Sequence, residues 1–82
     1  MNAPILYVKA GCPYCAAAME YLDQRQIAYE KVDVRGDDLA MEKLKEISNQ
    51  SKTPTLVWDG QVLANFGIED LERFLAQHQT AR

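Results

Sequence analysis

Long hydrophobic runs are missing from this chain: its N-terminal apolar stretch, Ile5 to Val8, is only strand-sized. Crossing a bilayer takes about 20 consecutive apolar residues, and a secretory leader needs a charged start and a longer apolar segment. The opening "MNAPILYVKAGC" has neither, so a cytoplasmic location and no membrane partner are expected. Cysteine is scarce, with two residues in 82, which excludes a multi-disulfide framework. Structural disulfides are rare in the cytosol, so the two thiols are expected to do chemistry and not to staple the fold. Basic residues are in deficit as well. Nine Lys and Arg against twelve Asp and Glu leave a formal net charge of −3, which gives no electrostatic reason to expect nucleic acid. Low-complexity tracts and internal repeats are absent.

What is present suits a small globular fold. With 48% hydrophobic and 26% charged residues, the chain is unlike a disordered one. Its length predicts one domain over 1–82, near the lower limit for an adequate core, and a monomer is expected.

Periodicity sets the element order. Residues 4–9, "PILYVK", read as a buried strand stopped by Gly11 and Pro13. From Pro13 the pattern turns helical, with Met19 and Leu22 at helical spacing and an end near Gln26. Residues 28–34 alternate as a second strand. Asp37 or Asp38 can cap a second helix with Ala40, Leu44 and Ile47 on one face, and 48–52 form a polar loop. "TPTLVWDGQVLANF" gives two short strands around Asp59-Gly60, a hairpin signal, and Ile68, Leu71, Phe74 or Leu75, and His78 mark a last amphipathic helix. The order β-α-β-α-β-β-α predicts an α/β sandwich: a right-handed parallel β-α-β crossover, with a late hairpin adding antiparallel strands to the same sheet.

The two cysteines sit in "KAGCPYCAAAMEYL", directly between the first strand and the first helix. Proline is favoured in the first helical turn, so Pro13 places the Cys12 sulfur at a helix N-terminus, beside unpaired N–H groups and the positive end of the dipole. A thiolate is stabilised there, and Cys12 is expected below the ~8.5 of a free thiol. Cys15, one turn in, is expected to be more buried and less acidic. Thiol–disulfide exchange needs this asymmetry: Cys12 attacks and Cys15 resolves. A zinc site normally needs four ligands, and the only other soft candidate is His78 near the far terminus, so no metal is expected within one chain. A cluster shared between two subunits and inert buried cysteines stay open as alternatives.

"YVKAGCPYC" and the later "KTPTLVWDGQVL" resemble the glutaredoxins, within the thioredoxin-fold superfamily. The likeness in element order covers nearly the whole chain. It implies a thioredoxin-like (glutaredoxin-type) three-layer sandwich with a four-stranded mixed sheet, disulfide reductase activity, and glutathione as co-substrate with no permanently bound cofactor. It further implies a cis bond before Pro54, and a glutathione groove lined by Lys9, Tyr14, Thr53 and Pro54. Two departures from the family pattern stand out. The residue before the proline is the hydroxyl-bearing Thr53, preceded by Lys52 where the family has Thr. The family's Gly-Gly-Asp segment, which holds the γ-glutamyl end of glutathione, is replaced by Ala64-Asn65-Phe66-Gly67-Ile68-Glu69-Asp70. Asn65 or the N–H groups opening the last helix are the substitutes, Phe66 is bulky where the family is open, and Arg35 stands in for a basic residue near the second helix.

Two rivals stand beside this reading: an electron donor recharged by a thioredoxin-reductase-like enzyme, which the altered groove favours, and a glutathione-dependent iron–sulfur cluster module, in which Cys12 and glutathione from two protomers would hold the cluster. Trp58 is expected to pack, partly exposed. His78 is expected to be structural or incidental, and Glu69, Asp70 and Glu72 to complement their helix dipole.

Overall fold

A computed structural model describes the backbone of residues 3–80 and the side chains of residues 3–77. Strands β1 (Ile5–Val8), β2 (Glu30–Asp33), β3 (Thr55–Trp58) and β4 (Gln61–Ala64) alternate with helices α1 (Pro13–Gln24), α2 (Asp38–Ser48) and α3 (Ile68–Thr80) in the expected order. The strands form one mixed sheet, β2-β1-β3-β4. β1 pairs parallel with β2, setting Leu6 beside Lys31 and Val8 beside Asp33, and antiparallel with β3, setting Leu6 beside Leu56. The result is a three-layer α/β sandwich of the thioredoxin-like, glutaredoxin type.

The alternation of β1 explains the layers. Leu6 and Val8 face α1 and α3, where they join Ala18, Leu22, Leu56, Phe66, Leu71 and Leu75 in the main core. Tyr7 points the other way and meets Val34 and Leu44, with Ala40, Met41 and Ile47 of α2 packed around them. β1 is buried on both faces, so it reads as a near-continuous apolar run and not as an amphipathic strand. Each fully buried leucine contributes roughly 1.5–3 kcal/mol. Trp58 is partly exposed and packs on the main core, as expected.

The strands are shorter than the periodicity suggested, because the flanking residues leave the ladder for turns. Asp33 Oδ1 accepts the Arg35 N–H at 2.9 Å, which starts the turn at the end of β2. α1 stops two residues before Gln26, which adopts a left-handed φ of 58°. The N–H groups of Gln26 and Ile27 then donate to Asp23 and Leu22 carbonyls at 3.0 Å, closing the helix end as a Schellman motif. Asp37, not Asp38, caps α2, its Oδ1 accepting the Ala40 N–H at 3.1 Å. Asp59 and Gly60 both have positive φ (50° and 81°), the two-residue turn whose twist matches a hairpin. Asp70 opens α3, accepting from Gly67 N–H at 3.1 Å while pairing with Arg73 at 2.9 Å. The His78 side chain lies outside the described residues. Among those residues, no helix is long and apolar enough to cross a membrane.

Candidate active site

The C-terminal end of β1 delivers the chain to α1 through Lys9-Ala10-Gly11. Gly11 has φ +87°, a left-handed conformation that side chains resist, and the Arg35 guanidinium lies 3.7 Å from where its Cβ would stand. The Cys12 N–H donates back to the Lys9 carbonyl at 3.1 Å, and Cys12 becomes the N-cap of α1 with Pro13 as its first helical residue. A Ser or Asp in this position would offer an oxygen to the N–H two or three residues on. Here the acceptor is sulfur: the Cys15 N–H donates to Cys12 Sγ at 3.2 Å.

Both cysteines are free thiols, and their surroundings differ. Cys12 is half-buried, whereas Cys15 is 1% exposed in the core. Burial pushes the Cys12 thiol up. Hydrogen bonds given to it by the Cys15 side chain and N–H, the Thr53 side chain and the Tyr14 backbone outweigh that, leaving its pKa below that of an ordinary thiol. Cys15 moves the other way, raised by burial first and by its Cys12 neighbour second. The more accessible sulfur has the lowered pKa and the buried one the raised pKa.

Thr53 and Pro54 lie on the β3 flank of Cys12. The bond between them is cis, and the Cys12 thiol points its proton at the Thr53 carbonyl from 3.9 Å. Pro54 is buried, and its carbonyl accepts the Asn65 N–H at 2.9 Å, tying this loop to the end of β4. Asn65 is exposed with a left-handed φ of 52°, and its N–H is engaged by Pro54 and so is not open to a ligand. Phe66 does not obstruct the groove: it turns inward and is 4% exposed in the main core, because the left-handed residue before it redirects the chain. Tyr14 stands 67% exposed on the first turn of α1.

Lys9 is set apart from these residues. It lines a cleft of about 410 Å³ on the β2 flank, together with Cys12, Cys15, Met19, Lys31 and Asp33, while Tyr14, Thr53, Pro54 and Asn65 do not. The expected groove residues are therefore divided between two flanks of the same sulfur. Arg35 reaches the site too, its guanidinium donating to the Ala10 carbonyl at 2.9 Å.

Gln50 was not legible as a site residue. Its Nε2 donates to Ser48 Oγ at 2.7 Å and Thr55 Oγ1 at 3.1 Å, and its Oε1 accepts the Lys52 N–H at 2.8 Å. The buried Thr55 hydroxyl completes the network by donating to the Lys52 carbonyl at 2.8 Å. These bonds brace the loop that presents Thr53 to Cys12. In sequence the segment "SNQSK" has only the polarity of any loop.

Among solved structures, the chain is similar to the thioredoxin-like protein BC3987, with 37% identity, a TM-score of 0.78, and coverage of 85% of this chain and 96% of that one. The fold is also that of a buckwheat glutaredoxin solved with glutathione, at a TM-score of 0.73 and 18% identity over 94% of this chain and 71% of that one. Glutaredoxin 1 of Rickettsia prowazekii is 31% identical over 75 residues, covering 87% of this chain and 75% of the relative. The Glutaredoxin family model matches residues 5–63, from the first residue of β1 through the cysteines and the cis-proline into β4. With a strand, a cysteine-capped helix and a cis-proline loop meeting at one sulfur, and the family's own pattern running through all three, the chain belongs to the glutaredoxin family.

Proposed function

We propose that the protein is a thiol–disulfide oxidoreductase that reduces protein disulfides or glutathione mixed disulfides through its Cys-Pro-Tyr-Cys dithiol, and so serves electron transport and redox homeostasis in the cytoplasm. The observation that carries this reading is the 3.2 Å hydrogen bond from the Cys15 N–H to Cys12 Sγ at the start of α1. It favours the thiolate of the accessible cysteine while the buried one stays protonated.

The Cys12 thiolate attacks one sulfur of a substrate disulfide, forming a mixed disulfide and releasing the other sulfur as a thiolate that takes a proton from solvent. Cys15 then loses its proton and attacks Cys12 Sγ, which expels the remaining substrate thiol. The substrate has gained two electrons and two protons, and the protein holds a Cys12–Cys15 disulfide. Two glutathione thiols return the electrons and leave as glutathione disulfide. Glutathione is thus a co-substrate, and no cofactor is permanently bound. Family membership and the fold shared with the glutathione-complexed buckwheat protein support that choice. Thr53, Pro54, Tyr14 and the Asn65 side chain would meet it on the β3 flank, with Lys9 at the opposite edge of the sulfur.

A second reading is favoured by the likeness to a protein described as thioredoxin-like: recharging by a thioredoxin-reductase-like enzyme in place of glutathione. The two are separated by supplying the oxidised protein with glutathione alone or with thioredoxin reductase and NADPH, and following the loss of the Cys12–Cys15 disulfide. Reduction by glutathione is expected; reduction by the reductase alone would overturn the glutathione assignment.

A further inference from the structure

The cleft on the β2 flank of Cys12 is separate from the groove predicted around Thr53 and Pro54. β1 lies between β2 and β3 in the sheet, so the two sites approach the sulfur from opposite sides. The floor is apolar where Met19 of α1 faces it, and both cysteines line one end. The pairing register explains the polar rim: Lys31 and Asp33 lie beside Leu6 and Val8 and therefore stand on the face of the edge strand that α1 covers. Lys9 completes the rim at the end of β1.

The local charge opposes that of the whole chain. Two lysines and one aspartate line the cleft, and Asp33 already directs one oxygen to the Arg35 N–H. The Arg35 guanidinium is a third cation at the margin, held on the Ala10 carbonyl beside Gly11. Lys9, Lys31 and Arg35 form no ion pair among the described residues. Two lysines thus line one side of the nucleophile, with Arg35 at its margin, in a protein whose formal net charge is −3. A free carboxylate or phosphate would use only the rim. The apolar floor and the open end beside the sulfur suit a polypeptide, which can set an apolar side chain on Met19 and acidic ones against the lysines.

We propose that this cleft is a specificity site that receives an acidic polypeptide segment next to the target cysteine of a protein substrate, with Lys31 as its principal recognition residue. The inference rests on the thiol–disulfide exchange proposed above and names the class of protein substrate that it favours. Charge pairs of this exposed kind act mainly on encounter and orientation, so the effect belongs in the rate of attack and weakens with salt.

The test uses the full chain in its reduced form and three synthetic peptide disulfides. Each peptide has one cysteine flanked by an apolar residue and by Asp/Glu, Ser or Lys, and release of peptide thiol is followed in a single turnover. No recharging thiol is needed, since the protein dithiol supplies both electrons. The acidic peptide is expected to react about fivefold faster than the neutral one and the basic peptide more slowly. Lys31→Glu should abolish or reverse that order, and Lys31→Gln should flatten it, each rate being read as a ratio to the neutral peptide in the same variant. Lys45→Glu, the same charge change on an exposed position of α2 across the sheet, should leave the order intact. Equal rates for the three peptides in the wild type, or the same loss from Lys45→Glu as from Lys31→Glu, would overturn the proposal while leaving thiol exchange standing. A wild type inert to all three would sink the exchange reading and this one with it.

Discussion

The Cys15 N–H and the Cys12 sulfur are a donor and an acceptor 3.2 Å apart, one helical turn along the same chain. That bond makes Cys12 the cap of α1 and, after the Cys15 side-chain bond, helps to lower its pKa. Capping a helix and favouring a thiolate are here one interaction, because an N-terminal N–H group favours negative charge whatever atom carries it.

Cys12→Ser should abolish thiol–disulfide exchange. Cys15→Ser should retain reduction of glutathione mixed disulfides, where an external thiol can complete the cycle, yet lose reduction of protein disulfides that need an internal second thiol. A glutathione-coupled assay on both substrate types checks this. Equal loss in the two variants would mean that the attacking and resolving roles are misassigned.

Alkylation by iodoacetamide should follow the two thiolates separately with pH. The Cys12 pKa is lowered, so its alkylation in Cys15→Ser is expected to reach half its plateau below the ~8.5 of a free thiol. Cys15 is raised, so in Cys12→Ser its reaction should begin only above that value. The linkage to stability has opposite signs. The Cys12 contribution is complete above the ordinary thiol pKa and is lost as pH falls through its own lowered value. That of Cys15 is complete below the ordinary value and is lost as pH rises through its raised one. Coincident alkylation profiles would contradict this assignment.

Gln50→Ala removes four hydrogen bonds of the loop before Pro54 and leaves the buried Thr55 hydroxyl one partner short. A loss of about 1–3 kcal/mol is expected, read as a lower urea midpoint at unchanged slope. Since the loop also carries the Thr53 groups that meet Cys12, the variant's Cys12 alkylation profile should shift as well. A stability loss with an unmoved profile would make Gln50 structural only.

Leu56→Ala opens a cavity where β3 meets β1, opposite Leu6 and beneath α1 and α3. The expected loss is ~2–5 kcal/mol, a large part of the ~5–15 kcal/mol that holds a typical domain together. Leu63→Ala, at a partly buried position on the neighbouring strand, should cost less in the same denaturant titration.

Features carried by neighbours in the chain were readable from residue types alone. Pro13 after Cys12 places a helix start at the sulfur, Asp59-Gly60 makes a hairpin turn, and the spacing of Ala40, Leu44 and Ile47 marks the inner face of α2. Each depends on steric preference or periodicity within a few residues. The sides of the site were not readable in that way. Thr53 reaches Cys12 across 41 positions, and Lys31 and Asp33 reach it only because β2 pairs with β1 in one particular register. The inward turn of Phe66 depends on a left-handed Asn65 anchored to the Pro54 carbonyl, and the bracing by Gln50 depends on a buried hydroxyl five residues on. The sequence by itself determined the element order and the helix start that makes Cys12 acidic, because both arise from local backbone preferences. Only the tertiary structure decided which charges and carbonyls surround that sulfur, because strand pairing, and no local pattern, brings distant residues to it.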